Sequence, residues 1–126
     1  MIFKNLLRIL GSYRFFLIKI IYYELIYLIK GYKGNKFTFS KNNVMTDNIP
    51  CPYYFLHEIN KSIQSENINT FLDLGCGSGR AIGFFNKCFS DKNFIGIEYF
   101  QEQFLYSKKI FKGNHNIKII SKTKNK

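Results

Sequence analysis

The sequence predicts an α/β fold of about three parallel strands alternating with helices, with an amphipathic helix ahead of them. Three observations carry this. The run Phe71-Leu72-Asp73-Leu74 leads into Gly75-Cys76-Gly77-Ser78-Gly79-Arg80, so a strand feeds a tight turn with glycine at alternate positions, and a helical pattern begins at its end. A second β-branched and aromatic run, Phe94-Ile95-Gly96-Ile97, ends in Glu98, 19 residues after Gly79, which leaves room for one helix and one strand. A third run, Ile117-Lys118-Ile119-Ile120, follows a helical stretch from Gln101 to Lys112 that carries Phe104, Leu105, Ile110 and Phe111 and stops at Gly113-Asn114.

The chain divides into a helical segment over 1–33, a linker over 34–49 and the α/β part over 50–126. Phe15 to Ile29 is nearly all apolar but is interrupted by Lys19 and Glu24. It is shorter than the roughly 20 clean residues that a bilayer-spanning helix needs. No small-residue cleavage site follows, so a signal peptide does not fit either. On a helical wheel Leu17, Ile18, Ile21, Leu25, Leu28 and Ile29 share one face, while Lys19, Tyr23, Tyr27 and Lys30 share the other. Two readings follow: the aliphatic face packs on the domain or on the missing half of the sheet, or residues 1–30 lie on a membrane surface. Gly31, Gly34 and the polar run to Asn48 read as the linker. Pro50 and Pro52 end it, and Pro52 begins a helix with apolar positions at Tyr53, Phe55, Leu56, Ile59 and Ile63.

The glycine turn is the chemical feature. With no side chains at Gly75, Gly77 and Gly79, a ligand can touch the backbone at a helix N-terminus. A dinucleotide fingerprint needs a glycine where Arg80 stands, and a phosphate loop needs a Gly-Lys-Ser/Thr ending that is absent. A carboxylate at the tip of the second strand, Glu98, suits a vicinal ribose diol because it only accepts hydrogen bonds. An acidic residue two before Gly-x-Gly-x-Gly resembles the first motif of the Rossmann-like, class I S-adenosylmethionine-dependent methyltransferases. Pro50-Cys51-Pro52-Tyr53-Tyr54-Phe55-Leu56 followed by a helix is similar to a segment in a group of bacterial methyltransferases. The Gly-Ile-Glu ending is also similar, more distantly, to methyltransferases that modify a histone-core lysine. The resemblance spans about residues 50–120, with its strong motifs at 71–80 and 94–98.

That resemblance implies a Rossmann-like parallel sheet, S-adenosylmethionine as cofactor, and methyl transfer to an acceptor that the sequence does not define. It implies that Asp73 fixes the turn and faces the cationic amino end, that Gly75, Cys76, Gly77 and Gly79 form the cradle, and that Glu98 holds the ribose. Tyr99 then flanks the adenine by stacking, and Tyr53 closes the other side. No catalytic residue is named. A complete sheet of this kind has seven strands and needs more than 126 residues. The expectation is a cofactor-holding piece, truncated or completed by another chain, with an exposed apolar edge on the first strand. The alternative is a non-catalytic module that keeps the fold and binds a membrane or a partner.

Composition narrows the partners. The net charge of +11 would suit nucleic acid, but 16 of the 19 basic residues are Lys and Arg occurs only at 8, 14 and 80, so a nucleic-acid partner is disfavoured. Lys, Asn, Ile, Phe and Tyr share A/T-rich codons, which accounts for the charge more simply. Cys51, Cys76 and Cys88 have no metal spacing and cannot pair completely, which fits a reducing, cytoplasmic setting. His57 and His115 read as structural or solvent-facing.

Overall fold

The computed structural model describes residues 2–34 and 50–122, with side chains in the first helix from residue 14 onward. Seven elements follow one another: α1 (Ile2–Ile29), α2 (Tyr53–Ile63), β1 (Thr70–Leu74), α3 (Arg80–Cys88), β2 (Asn93–Glu98), α4 (Gln101–Ile110) and β3 (Ile117–Ser121). The remainder of the linker, 35–49, lies outside the described residues. The strands form one parallel sheet in the order β1-β2-β3, with Phe71 opposite Phe94 and Phe94 opposite Ile117.

Alternation along the strands separates two faces. Phe71, Phe94 and Gly96 face the helices. Phe71 stacks on Phe94 at 5.0 Å and on Phe85 of α3 at 5.3 Å, so three aromatic rings join the sheet to its covering helix. Gly96 is where helices and sheet come closest: a Cβ there would lie 2.5 Å from Ile82 Cδ1, 2.8 Å from Cys76 Sγ and 2.9 Å from Ile119 Cδ1. On the other face Leu72, Leu74 and Ile120 are exposed. Among the described residues β1 is an edge strand, and Leu74 is 72% exposed, as expected for the first strand.

Helix α1 packs by the face opposite to the aliphatic one. Tyr27 is buried; it stacks on Tyr53 of α2 at 4.8 Å and meets Phe84 of α3 edge-on at 5.4 Å. Its hydroxyl lies 3.3 Å from His57 Nδ1, and the His57 ring packs on Tyr23. Leu17, Ile18, Ile21, Leu25, Leu28 and Ile29 all point to solvent. The reading in which the aliphatic face packs on the described part of the domain is therefore corrected. The physical cause is Glu24, on the same face as Tyr23 and Tyr27. Its carboxylate accepts hydrogen bonds from Arg80 Nη1 at 2.9 and 3.0 Å and from the Tyr53 backbone N–H at 2.8 Å. The Arg80 side chain is 2% exposed, so rotating α1 to bury leucines would leave a guanidinium without this carboxylate in a low-dielectric interior.

The residues after α1 also belong to the packed body. Gly34, read as part of the linker, is buried against the start of α3: a Cβ at Gly34 would collide with the Arg80 backbone nitrogen and Cα. Its carbonyl accepts a hydrogen bond from Ser78 Oγ at 2.6 Å. With φ at +84°, the position is closed to side chains on two grounds.

Removing one partner of a buried ion pair typically costs about 3–5 kcal/mol, because the other charge stays buried. Glu24→Ala and Arg80→Ala are each expected to lose stability of that order in urea unfolding. The double variant should lose clearly less than the sum, giving a coupling energy of at least about 1 kcal/mol.

Candidate functional site

The glycine turn begins where β1 ends and is held in place by β2. The backbone N–H groups of Gly75 and Cys76 both donate to Ile97 O, at 2.8 and 3.1 Å, and Gly79 N donates to Cys76 O at 2.7 Å. Gly75, Gly77 and Gly79 have φ of 78°, 51° and 81°, a left-handed region that residues with a Cβ avoid. This is why the sequence places three glycines within five positions.

The three glycines do different work. At Gly75 a Cβ would meet nothing within 4 Å, so this residue borders open space. At Gly79 a Cβ would lie 2.5 Å from the Phe111 ring, and Gly34 packs against the same backbone; its lack of a side chain serves internal packing. Gly77 donates its N–H to Glu98 Oε2 at 2.7 Å.

The open space beside Gly75 is a cavity of about 110 Å³, lined among others by Asp73, Gly75, Cys76, Ser78 and Arg80. Asp73 enters it from the helix-facing side of β1. Burial first, and then the charge of Glu98, push the Asp73 carboxyl above its ordinary range. Cys76 is buried, and burial together with Asp73 and Glu98 pushes its thiol up to about 12, so it stays protonated and unreactive at neutral pH.

Glu98 stands at the tip of β2, as its place in the sequence predicts. It is 3% exposed, and its two oxygens accept the backbone N–H groups of Gly77 and Phe100, each at 2.7 Å. Its first task is thus to tie the glycine turn to the start of α4. Tyr99 is exposed beside it, edge-on to Phe100 at 5.5 Å. Tyr53 is not brought to the site: it is fully buried, stacked on Tyr27 and covered by the Arg80 guanidinium at 4.5 Å. The expectation that it closes one side of a cofactor is corrected. Its ring fills the space between α1, α2 and α3, where an aromatic side chain supplies packing area.

Sequence reasoning missed the role of Arg80, which couples the glycine turn to α1. The one Arg of the α/β part in a Lys-rich chain, placed at the first residue of a helix where basic side chains are unfavourable, was the available signal. Among the described residues no group of three His, Cys, Asp or Glu could hold a metal ion.

No protein-family profile and no curated protein matches the chain. Solved structures do. A provisionally assigned caffeoyl-CoA O-methyltransferase from Staphylococcus aureus aligns with 58% of this chain and 36% of its own, at 21% identity and a TM-score of 0.53. The N-terminal domain of human METTL16, crystallised with S-adenosylhomocysteine (SAH), aligns with 69% of this chain and 38% of its own, at 17% identity and a TM-score of 0.47. Coclaurine N-methyltransferase, bound to N-methylheliamine and SAH, gives 70%, 26%, 16% and 0.47 for the same quantities. Over its three strands the chain shares a Rossmann-like α/β fold with the Staphylococcus protein. The chain spans about a third of the Staphylococcus protein's length.

Two expectations follow from the site's electrostatics. The raised Asp73 carboxyl means that the stability tied to this group is fully present below the unfolded-state pKa and is lost as pH rises through the higher folded value. Asp73→Asn should therefore raise the Tm at neutral pH, a gain that vanishes in acid, as thermal scans across pH will show. In native protein a thiol reagent should modify exposed Cys51 and Cys88 but reach Cys76 only on unfolding. Mass mapping of the labelled cysteines checks this.

Proposed function

We propose that the glycine turn binds S-adenosylmethionine and that this chain is the cofactor-holding part of a methyltransferase. The observation that carries the reading is the pairing of an open Gly75 with the Asp73 carboxylate in one cavity. A dinucleotide would bring the anionic pyrophosphate to this turn, against Asp73 and with Glu98 behind it. A sulfonium amino acid brings positive charge, which offsets the mutual repulsion of the two carboxylates. The fold shared with the Staphylococcus protein supports the same class.

Each residue has a task in this reading. Asp73 faces the cationic end of the cofactor, and Gly75 lets it approach the backbone. Glu98 has about four lone-pair sites, of which Gly77 and Phe100 use two, so a ribose diol can take the others. Glu98 is deeply covered and would hold the sugar from beneath the turn, and exposed Tyr99 would be available to stack on the base. The cofactor supplies an electrophilic methyl group. The chain's own residues bind and orient it. The cavity of about 110 Å³ would hold the amino-acid end alone, with Glu98 and Tyr99 at the end of β2 as the residues that would hold the nucleoside. The acceptor is left undefined.

Calorimetric titration with SAH and with NAD tests the assignment. SAH should bind more tightly than NAD. Glu98→Gln should weaken it by at least about tenfold, since a charge-assisted hydrogen bond is worth roughly 1.5–3 kcal/mol. Gly75→Val should abolish binding in protein whose circular dichroism is unchanged. Tighter NAD binding, or SAH binding indifferent to both substitutions, would overturn the reading.

A further inference from the structure

The outward face of α1 is the largest feature that the cofactor site does not explain. From Leu17 to Ile29 it presents Leu17, Ile18, Ile21, Leu25, Leu28 and Ile29 to solvent, each at least half exposed and Ile29 at 85%. Isolated exposed apolar residues are ordinary, but a contiguous stripe of this length marks an interaction surface. The helix cannot turn the stripe inward, since Glu24 and Tyr27 on the opposite side are fixed to Arg80 and Tyr53.

We propose that this face docks on an anionic lipid bilayer, with α1 lying in the plane of the interface. Charge selects the occupant. The helix holds four basic residues, Lys4, Arg8, Arg14 and Lys19, and a single acid, Glu24. The acid is turned inward in its ion pair with Arg80. Arg14 and Lys19 are exposed, and Lys30 follows just beyond the helix, so the charge that α1 shows to its surroundings is positive. An aliphatic stripe with Arg14 one turn before it and Tyr22 exposed at its edge, on a helix whose exposed Lys19 adds positive charge, combines burial into acyl chains with attraction to anionic headgroups. A second copy of the chain fits less well. Two such stripes packed together would leave the exposed positive charge of Arg14 and Lys19 without an acidic partner, since the helix's one acid is turned inward. No described helix is long and apolar enough to cross a membrane.

Sedimentation of the full chain with phosphatidylcholine vesicles, with and without phosphatidylglycerol, is the test. The wild type should pellet with the anionic vesicles, far less with the neutral ones, and less as salt rises. The double substitution Ile21→Gln/Leu25→Gln removes apolar area from the exposed face of α1 and should reduce binding by at least about tenfold. Arg14→Glu/Lys19→Glu leaves the stripe intact and should abolish the preference for anionic vesicles, so a failure of the first variant to fold does not decide the matter. Absence of binding to anionic vesicles at low salt overturns the proposal. So does equal pelleting of wild type and both variants. A concentration-dependent dimer that Ile21→Gln/Leu25→Gln dissolves, without vesicle binding, would assign the face to a second copy instead.

Discussion

The contact on which the rest of the structure depends is the carboxylate of Glu24. It receives the Arg80 guanidinium and the Tyr53 backbone N–H together, so one side chain joins α1, the start of α2 and the start of α3. In doing so it supplies a hydrogen-bond acceptor to an orphan N–H at the first turn of α2, where the preceding Pro52 offers no side-chain cap. Desolvating a guanidinium is costly unless its partner is fixed. Here the partner is fixed by a helix that the aromatic rings of Tyr23 and Tyr27 also hold. The rotation of α1, the burial of Tyr53 and the exposure of the aliphatic stripe all follow from this arrangement.

How much of this was legible in the sequence differs by element. Helix α2 runs from Tyr53 to Ile63, as its apolar spacing indicates, and the three strands fall where the β-branched runs are. The glycine turn and the place of Glu98 at a strand tip were equally readable, because backbone constraints on glycine and the period of a strand are local. The packing face of α1 was not. Periodicity shows that two faces differ, but a face of tyrosines with one glutamate reads as wet until its partner, 56 residues along the chain, is known. Gly34 was misread for a similar reason: as a local signal it is a turn residue, and only the approach of Arg80 shows that a side chain is forbidden. Tyr53 illustrates the converse. It was expected beside the cofactor, but whether an aromatic ring lines a cavity or fills a core depends on its neighbours in space, and here it fills the core.

The site sets a local acidity against a strongly basic chain. Asp73 and Glu98 lie close enough for each to matter to Cys76, and Glu98 raises Asp73. Such a pair is an inefficient way to stabilise a fold and a suitable way to recognise a cation. The chain as a whole, at +11, repels small cations at long range, so in the proposed reading selectivity rests on the short distances inside the turn, where screening by salt is weak.

One consequence of how Gly34 is seated concerns the covalent chain itself. Gly34 is wedged against Gly79 and Arg80, with its carbonyl held by Ser78, while Tyr27 and Glu24 are locked into α2 and α3. The N-terminal helix is thus joined to the sheet-bearing part by contacts on both sides of the 35–49 connection. A peptide-bond cut within that connection would leave two polypeptides that remain associated as a noncovalent complex. Evolution could then place the helix and the strand-bearing part on separate genes, or lengthen the sequence between them, without disturbing the glycine turn.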